Sequence, residues 1–208
     1  MTYYEKLEDN IVYFKGVISN YQEIIDLAEK TSTPAVTAWE TWYANGSKSE
    51  YGEIKYLKRK EIKNITDLKE KNNSLFVIDS LTDKMIECSQ KYAEIFNIDK
   101  QELDFAASVI KNEQTTIGLY KYFEDAHMGP HVDFNDENDY LAYTIVVYLN
   151  DNYEGGELYF NDFDIKVKPQ AGSIMMYPSF APYTHESLKI EKGRKMLITH
   201  HWRSFEHK

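Results

Sequence analysis

The stretch LAYTIVVYLNDNYEGGELYF, residues 141–160, contains two runs rich in Tyr, Val, Ile and Leu on either side of a polar turn that contains two glycines. Runs of this composition, separated by short turns, are typical of β-strands. Similar runs occur upstream and downstream, and these are TTIGLYKYF, IKVK, SIMMY and KMLITHHW. The pattern predicts that the chain forms an all-β sandwich or barrel from about residue 105 onward.

The first half of the chain has the periodicity of amphipathic helices, with strand segments near its ends. In SNYQEIIDLAEK, residues 19–30, apolar side chains recur at the three- and four-residue spacing of one helix face. TDKMIECSQKYAEIF, residues 82–96, repeats this pattern, with Thr82 as the predicted N-terminal cap. Cys88 lies on the apolar face, which predicts a buried core residue rather than a reactive thiol. Because helices precede strands, they are expected to buttress one face of the β core.

Composition favours a single globular domain. Of the 208 residues, 42% are hydrophobic and 14% aromatic, which is incompatible with a disordered chain. We expect one domain over residues 1–208, with 1–104 as a largely helical support and 105–208 as the β core.

Charge and cysteine content bear on partners and location. A net charge of −10 disfavours binding to nucleic acid, because phosphate backbones attract basic proteins. The single cysteine cannot form an internal disulfide. The N-terminus resembles neither a secretory signal nor the start of a membrane-spanning run. These features predict a cytoplasmic protein with no membrane partner.

Residues 39–52, WETWYANGSKSEYG, contain two tryptophans and several turn-forming residues. Two interpretations stay open for this segment. It is either a packed surface loop or a mobile lid over a functional site, because long irregular segments are often functional. Both interpretations predict an irregular backbone.

A His-x-Asp triplet, His131 to Asp133, follows a Gly-Pro break in HMGPHVDFNDENDY, residues 127–140. Two residues that are separated by one position on a strand share a face, so this imidazole and carboxylate are expected to point into one cavity. Burial of such groups without a partner is unfavourable. The triplet therefore indicates either a metal site or polar residues that pair near a turn.

His185 is a third candidate ligand, although several predicted strands separate it from the triplet. A jelly-roll barrel brings such distant positions together. Two histidines and one carboxylate form the facial triad of non-haem Fe(II) oxygenases, which leaves metal positions open for a co-substrate and O₂.

Four blocks between Ile117 and Trp202 occur in an order known from one enzyme family. They are YKYFEDAHMGPHVD, TIVVYLNDNYEGGELYF, IKVKPQAGSIMMYPS, and His185 with a basic residue ten positions later. In these blocks the chain resembles the 2-oxoglutarate- and Fe(II)-dependent oxygenases, and within them the prolyl 4-hydroxylase catalytic domain. A fainter resemblance lies in VYFKGVISNYQEIIDLAE. The resemblance implies a mainly β fold, in which N-terminal helices buttress a double-stranded β-helix, the cupin-like jelly roll.

The resemblance also implies roles for five residues. His131, Asp133 and His185 are the implied Fe(II) ligands. Lys195 is the implied anchor of the distal carboxylate of 2-oxoglutarate, and Tyr122 offers this carboxylate a hydroxyl group. A buried cation that holds a carboxylate by charge-assisted hydrogen bonds would fix the co-substrate for chelation.

Arg194 and Lys195 are adjacent, so only one of them can face the interior of the barrel on a strand. The family spacing selects Lys195, two residues after Gly193. Gly155 and Gly156 are predicted to be turn residues rather than ligand-binding residues, because paired glycines adopt backbone conformations that other residues resist.

Two positions depart from the family pattern. Peptidyl-proline hydroxylases often carry an Arg three residues before the strand Thr, whereas this chain has Leu141 before Thr144. The Trp that usually follows the basic anchor by six residues is replaced by His201, with Trp202 next. Either His201 faces the pocket or the strand register slips by one residue. The remaining histidines are interpreted as exposed or strand-packed: His127, His200 and His207.

The resemblance implies an enzyme that hydroxylates proline, in a peptide or protein and at the 4-position, with release of succinate and CO₂. Its implied requirements are Fe(II), O₂ and 2-oxoglutarate, with ascorbate in support. A hydroxylase of a free amino acid or small metabolite is an alternative that Leu141 permits. A metal-binding β-barrel without turnover is another, but the complete triad with Lys195 argues against it. The charge of −10 disfavours repair of alkylated nucleic acid.

Overall fold

The computed structural model describes residues 3–30, 32–43, 51–99, 116–133 and 141–203. The elements of the N-terminal half are β1 (Tyr4–Glu8), β2 (Ile11–Phe14), α1 (Tyr21–Lys30), β3 (Glu40–Tyr43), β4 (Tyr51–Lys58), a 3-10 segment (Arg59–Asn64) and α2 (Leu68–Phe96). Those of the C-terminal half are β5 (Thr116–Tyr122), β6 (Met128–His131), β7 (Leu141–Tyr148), β8 (Glu154–Gly155), β9 (Leu158–Phe160), a 3-10 segment (Asn161–Phe163), β10 (Ile165–Val167), β11 (Ser173–Pro178), β12 (His185–Ser187), β13 (Ile190–Lys192) and β14 (Lys195–Arg203).

Two antiparallel sheets pack face to face. The larger sheet has the strand order β1-β2-β11-β7-β14-β5-β4-β3, and the smaller has the order β10-β9-β12-β6, with a short β13-β8 pair beside them. Neighbouring strands within each sheet are often far apart in sequence, which is the topology of a jelly roll. The predicted mainly β fold with N-terminal helices is confirmed.

The large sheet separates two hydrophobic cores. On β14, Leu197 faces the smaller sheet, whereas Met196 and Ile198 face the helices, as the two-residue period of a strand requires. The core between the helices and the large sheet is called the outer core. The predicted apolar faces of α1 and α2 bury their side chains in it, notably Ile24, Ala28, Met85, Cys88 and Tyr92. This burial removes apolar surface from water and covers the outer face of the large sheet.

The start of α2 differs from the sequence prediction. The helix begins at Leu68, and Asp67 caps it by accepting a hydrogen bond from the Glu70 amide at 2.7 Å. Thr82 lies inside the helix, where its hydroxyl donates to the Ile78 carbonyl at 2.9 Å. The prediction of Thr82 as a cap is therefore wrong, because a mid-helix threonine satisfies its hydroxyl on the preceding turn. Among the described residues, no helix is both long and apolar enough to cross a membrane.

The predicted irregular segment, residues 39–52, is partly regular. Glu40–Tyr43 pairs with the start of β4 in an antiparallel hairpin, so the prediction of an irregular backbone is wrong at its two ends. Thr, Trp and Tyr suit a pleated sheet, which explains the difference. Residues 44–50, to which a lid would belong, lie outside the described residues, as does the predicted boundary at 104–105. The N-terminal half thus supplies four strands of the large sheet besides its helices.

A charged cluster joins the large sheet to the end of α1. The ammonium of Lys121, whose residue is only 4% exposed, lies 3.1 Å from Glu29 Oε1 and 3.2 Å from Glu53 Oε2. Lys55 is also buried and donates a hydrogen bond to the Ala28 carbonyl, where the C-terminal end of a helix favours positive charge. These contacts fix α1 against β4 and β5.

Replacement of Lys121 by Met is expected to lower the free energy of unfolding by about 2–3 kcal/mol, because Glu29 and Glu53 lose their shared cation. Both carboxylates keep some contact with water, so the loss falls below that of a fully buried pair. The control Lys84→Met removes an exposed pair with Glu87 and should change stability by less than about 0.5 kcal/mol. Urea unfolding measures both, and equal effects would contradict a structural role for Lys121.

Candidate active site

A cavity of about 200 Å³ lies between the two sheets. Its walls combine aromatic and aliphatic side chains with a small number of polar groups, as is typical of small-molecule sites. Besides several tyrosines, the polar side chains that line the cavity are His131, Asp133, His185, Ser187, Lys195, Thr199 and His201.

Three potential metal ligands meet on one side of this cavity. His131 ends β6, Asp133 follows two residues later, and β12 starts with His185, which pairs with His131 across the strands. Asp133 Oδ1 lies 3.7 Å from His131 Nε2, and Asp133 Oδ2 lies 3.7 Å from His185 Nε2. One ligand atom from each residue lies within 4.8 Å of the others, and within the described parts of the chain no other His, Cys, Asp or Glu group meets this test.

Backbone carbonyls orient both imidazoles. His131 Nδ1 lies 2.8 Å from the Gly129 oxygen, and His185 Nδ1 lies 3.1 Å from the Tyr183 oxygen. A carbonyl oxygen only accepts hydrogen bonds, so each Nδ1 carries a proton, and Nε2 is the ring nitrogen that faces Asp133. Metal-ligating histidines are held in this way in known sites. The residues present therefore fit a metal ion that prefers two nitrogen donors and one carboxylate.

The pKa shifts of these three residues are compatible with a role as metal ligands. Burial lowers the pKa of His185 to about 4, so its imidazole is neutral at pH 7. Burial would raise the pKa of Asp133, but His131 and the other neighbours outweigh it and hold this pKa at about 2. Burial lowers the pKa of His131, yet the nearby Asp133 carboxylate and the hydrogen bond to the Gly129 carbonyl raise it above its usual value. A metal at this site would bind the neutral imidazole of His131 and would therefore compete with a proton.

A buried hydroxyl fixes the Asp133 carboxylate. Thr144, on β7, donates a 2.5 Å hydrogen bond to Asp133 Oδ2. Its oxygen also lies 2.9 Å from Ser179 Oγ and 3.2 Å from His201 Nδ1. Thr144 and Ser179 have no exposed surface, so this network holds the carboxylate in a single orientation.

The position of His201 resolves one of the alternatives that the sequence left open. His201 lines the cavity, whereas Trp202 packs in the outer core beside Tyr92 and Tyr143. The strand keeps its register through Trp202 and shifts only after it, and the His201 imidazole occupies the cavity position where the family pattern has a Trp. His127 lies near the surface, with Nδ1 3.4 Å from the Asp125 carbonyl. His200 lies outside the residues that line the cavity, and His207 lies outside the described residues.

Lys195 is buried at the end of the cavity, with 1% of its surface exposed. Its ammonium donates to the Gly156 carbonyl at 3.0 Å and to the Ser187 hydroxyl, and it lies 5.0 Å from the Tyr122 ring centroid. Burial lowers the pKa of Lys195 to about 7. The hydrogen-bond partners that the described residues offer this cation are neutral, so an anionic ligand would complete its environment.

Arg194 points away from the cavity. Its side chain is 51% exposed, and its guanidinium lies 3.5 Å from Glu29. Arg194, which directly precedes β14, and Lys195, its first residue, therefore point to opposite sides, as the alternation of an extended chain requires. Tyr122 lies directly opposite Lys195 on β5, and its hydroxyl is 4.0 Å from the Met128 sulfur.

Gly156 adopts a backbone conformation that favours glycine, and its carbonyl accepts a hydrogen bond from Lys195. Its φ of +67° is in the region that favours glycine, and a Cβ there would collide with Ile190. Gly155 has a similar φ of +70°. Only a glycine at this position leaves the carbonyl of residue 156 free to face Lys195 without strain.

Sequence reasoning missed several residues of the cavity wall, among them Ser187, Tyr177 and Trp42. Ser187 lies two residues after His185 on β12 and so shares its face, a signal that was available in the sequence. Tyr177 and Trp42 also line the cavity. Trp42 lies on the unpredicted strand β3, and no local pattern distinguishes Tyr177 from other core aromatics.

Comparison with known proteins agrees with this geometry. Residues 117–203 match the family model of the 2OG-Fe(II) oxygenase superfamily. A PKHD-type hydroxylase of Prochlorococcus marinus (strain MIT 9515) is 30% identical over 82 residues, which cover 37% of this chain and 36% of that protein. The chain thus matches little more than a third of the length of this curated relative.

Solved structures share the fold across nearly the whole chain. A viral collagen prolyl hydroxylase from Paramecium Bursaria Chlorella virus-1, solved with 2OG, has a TM-score of 0.58 at 16% identity and covers 95% of this chain and 97% of its own. A Pseudomonas putida prolyl-4-hydroxylase has a TM-score of 0.56 at 15% identity, with 94% and 92% covered. A Trichoplax adhaerens prolyl hydroxylase in complex with a hypoxia inducible factor peptide has a TM-score of 0.57 at 13% identity, with 94% and 84% covered.

The family match contains the histidine and aspartate cluster together with Lys195, and it confirms the resemblance that the sequence blocks indicated. The matched family implies Fe(II) and 2-oxoglutarate as the metal and co-substrate. Through residues 117–203, which are less than half of the chain, this jelly-roll protein is therefore similar to the 2OG-Fe(II) oxygenase superfamily.

Proposed function

We propose that this protein is an Fe(II)- and 2-oxoglutarate-dependent prolyl hydroxylase, which acts on proline in a peptide or protein and at the 4-position. The observation that carries the proposal is that one cavity contains both a histidine and aspartate cluster and, separately, the buried cation of Lys195. The first suits a metal with open positions, and the second suits the far carboxylate of a dicarboxylic acid.

His131, Asp133 and His185 would hold Fe(II), with the imidazoles oriented by the Gly129 and Tyr183 carbonyls. Bound Fe(II) supplies O₂ activation, coupled to oxidative decarboxylation of 2-oxoglutarate to succinate and CO₂ and to insertion of one oxygen atom into a C–H bond. The chain contributes a fixed ligand geometry and a cavity wall that limits access of water.

The remaining residues of the cavity would bind and orient the co-substrate. Lys195 would hold the distal carboxylate, with Ser187 and the Gly156 carbonyl fixing its ammonium. Tyr122, opposite Lys195 on the neighbouring strand, would offer a hydroxyl to the same carboxylate. Leu158 and other apolar side chains also line the cavity, which strengthens these charge interactions by excluding water.

Proline as the substrate is supported by the sequence resemblance and by the shared fold with solved prolyl hydroxylases, one of which was solved with a peptide. The presence of Leu141 where peptidyl-proline hydroxylases often have Arg favours a second candidate, a hydroxylase of free amino acids. Ascorbate as a supporting reductant and a cytoplasmic location stay predictions.

One experiment separates these candidates. The protein is incubated with Fe(II), ascorbate and 2-oxoglutarate, and with either proline-containing peptides or free proline. Succinate formation and a mass increase of about 16 Da, one oxygen atom, are then measured by mass spectrometry. The proposal predicts modified peptide proline at the 4-position. Modification of free proline alone supports the second candidate, and no substrate-dependent succinate in either arm contradicts both.

Replacement of Asp133 by Ala is expected to abolish Fe(II)-dependent succinate formation and to leave the fold largely intact, because the proposed role of Asp133 is ligation rather than packing. Asp133→Asn, which keeps an acceptor for Thr144 but removes the charge, should also be inactive. Asp9→Ala, an exposed change, is the control. Turnover and melting are measured together. Wild-type turnover in either variant at position 133 would refute the ligand role.

If Asp133→Ala instead keeps its turnover and loses only stability, on the order of 1 kcal/mol, Asp133 would have a structural role in the turn after β6.

Lys195→Ala is expected to raise the dissociation constant of 2-oxoglutarate by on the order of a hundredfold, because a buried carboxylate would lose its cation. Arg194→Ala should change it little, since this side chain is half exposed and points away from the cavity. Calorimetric titration of 2-oxoglutarate into the Mn(II)-loaded protein measures both. The reverse ranking of the variants would show that the wrong basic residue has been assigned.

Binding of 2-oxoglutarate is expected to weaken as the pH rises above 7. Burial lowers the pKa of Lys195 to about 7 in the ligand-free protein, whereas a bound carboxylate would favour the ammonium form and raise this pKa. The affinity is therefore fully present below pH 7 and falls above it, by up to about tenfold per pH unit. Lys195→Arg stays charged and should lose this dependence. A flat wild-type profile between pH 7 and 9 would contradict the prediction.

A further inference from the structure

Tyr177 lines the cavity, but none of the roles assigned above involves it. It lies on β11 and is 1% exposed. Its ring makes edge contacts with His185, at a centroid distance of 4.7 Å, and with Phe160, at 5.0 Å. Its hydroxyl lies 3.1 Å from His185 Nε2. The ring is thus fixed by packing, and the hydroxyl group points at a nitrogen of His185, one of the candidate metal ligands.

The direction of this hydrogen bond follows from the other ring nitrogen. His185 Nδ1 faces the Tyr183 carbonyl and carries the proton, so Nε2 is the acceptor and the Tyr177 hydroxyl is the donor. Nε2 is also the atom that the proposed function assigns to Fe(II). One lone pair cannot serve both a proton donor and a metal, so metal binding must break the bond to Tyr177.

The displaced hydroxyl then needs a new acceptor. A buried hydroxyl without a hydrogen bond is unfavourable, and the packing of the ring against Phe160 prevents a large movement. The hydroxyl therefore stays beside the metal position, where the chelating end of a 2-oxo acid would bring oxygen atoms. Lys195 and Tyr122 pair with each other across β14 and β5 and are assigned to the other end of the co-substrate.

We propose that Tyr177 is a co-substrate-binding residue. Its hydroxyl caps the His185 ligand nitrogen in the metal-free protein, and in the loaded protein it donates a hydrogen bond to an oxygen atom of the 2-oxo acid end of 2-oxoglutarate. The inference rests on the proposed function. It assigns two opposite effects to the Tyr177 hydroxyl. This group weakens metal binding, because it competes with the metal for the His185 nitrogen, and it strengthens co-substrate binding once the metal is bound.

The variant Tyr177→Phe keeps the ring and removes only the hydroxyl. Calorimetric titration without O₂ is carried out first with Mn(II) alone and then with 2-oxoglutarate on the Mn(II)-loaded protein. We expect Mn(II) to bind about threefold more tightly, because no hydrogen bond has to be broken, and 2-oxoglutarate to bind about tenfold or more weakly, because a bond to a charged acceptor is lost. Tyr92→Phe is the matched control, since its buried hydroxyl donates to the Asn10 carbonyl in the outer core at 2.7 Å. It should change neither constant.

A second ligand tests the position of the contact. 2-Oxobutyrate has the chelating 2-oxo acid end but no distal carboxylate. Its affinity for the Mn(II)-loaded protein should fall in Tyr177→Phe and stay unchanged in Lys195→Ala, whereas 2-oxoglutarate should bind more weakly to both variants. Thermal unfolding of each variant verifies that it is folded, and Tyr177→Leu repeats the comparison if the Phe variant is unstable.

An unchanged affinity for both 2-oxo acids in Tyr177→Phe would overturn the proposal and reduce Tyr177 to a packing residue. Weaker Mn(II) binding with unchanged 2-oxo acid binding would also overturn it, because the hydroxyl would then act on Asp133 instead. These outcomes leave the proposed function intact. Failure of the wild-type protein to bind Mn(II) or 2-oxoglutarate would contradict the proposed function, and the role of Tyr177 with it.

Discussion

The antiparallel pairing of β12 with β6 places His185 beside His131, and the candidate active site depends on this contact. Their imidazole centroids are 4.4 Å apart, and the Asp133 carboxylate lies next to both. Strand pairing alone does not aim the side chains. The Gly129 and Tyr183 carbonyls select the tautomers, and Thr144 fixes the carboxylate from the large sheet. The cluster is therefore held by both sheets of the jelly roll, so its geometry is coupled to the packing between them.

The cavity and the outer core have different physical roles. Helices and large sheet share an apolar core that stabilises the fold without taking part in the site. The cavity instead contains groups that burial disfavours, such as the ammonium of Lys195 and the carboxylate of Asp133. Such groups reduce stability unless they find partners. Neutral hydrogen bonds satisfy Lys195 in part, and an anionic ligand would complete them. Ligand binding is therefore expected to stabilise the folded protein.

Much of the architecture could be predicted because its signals are local. Alternating apolar runs identified β5, β7, β11 and β14, and helical spacing identified the buried faces of α1 and α2. The errors have physical causes. Thr82 has the residue type of a cap, but its hydroxyl bonds to the preceding turn of a longer helix. The turn-forming residues of 39–52 obscured a β-hairpin that is stabilised by pairing with the large sheet.

The site was predictable to the extent that residue spacing encodes it. Family spacing led to His131, Asp133, His185 and Lys195, and the structure brings all four to one cavity. The contacts that orient them could not be read from spacing. Tyr177 and His185 are near in sequence but meet through packing between sheets, and Thr144 reaches Asp133 from another strand.

The most direct test is a crystal structure of the wild-type protein with Mn(II) and 2-oxoglutarate, grown without O₂. The account predicts a metal ion at about 2.0–2.3 Å from His131 Nε2, His185 Nε2 and an Asp133 oxygen. It also predicts the distal carboxylate of 2-oxoglutarate on Lys195. A metal ion bound elsewhere, or 2-oxoglutarate with its distal carboxylate on a different residue, would contradict it.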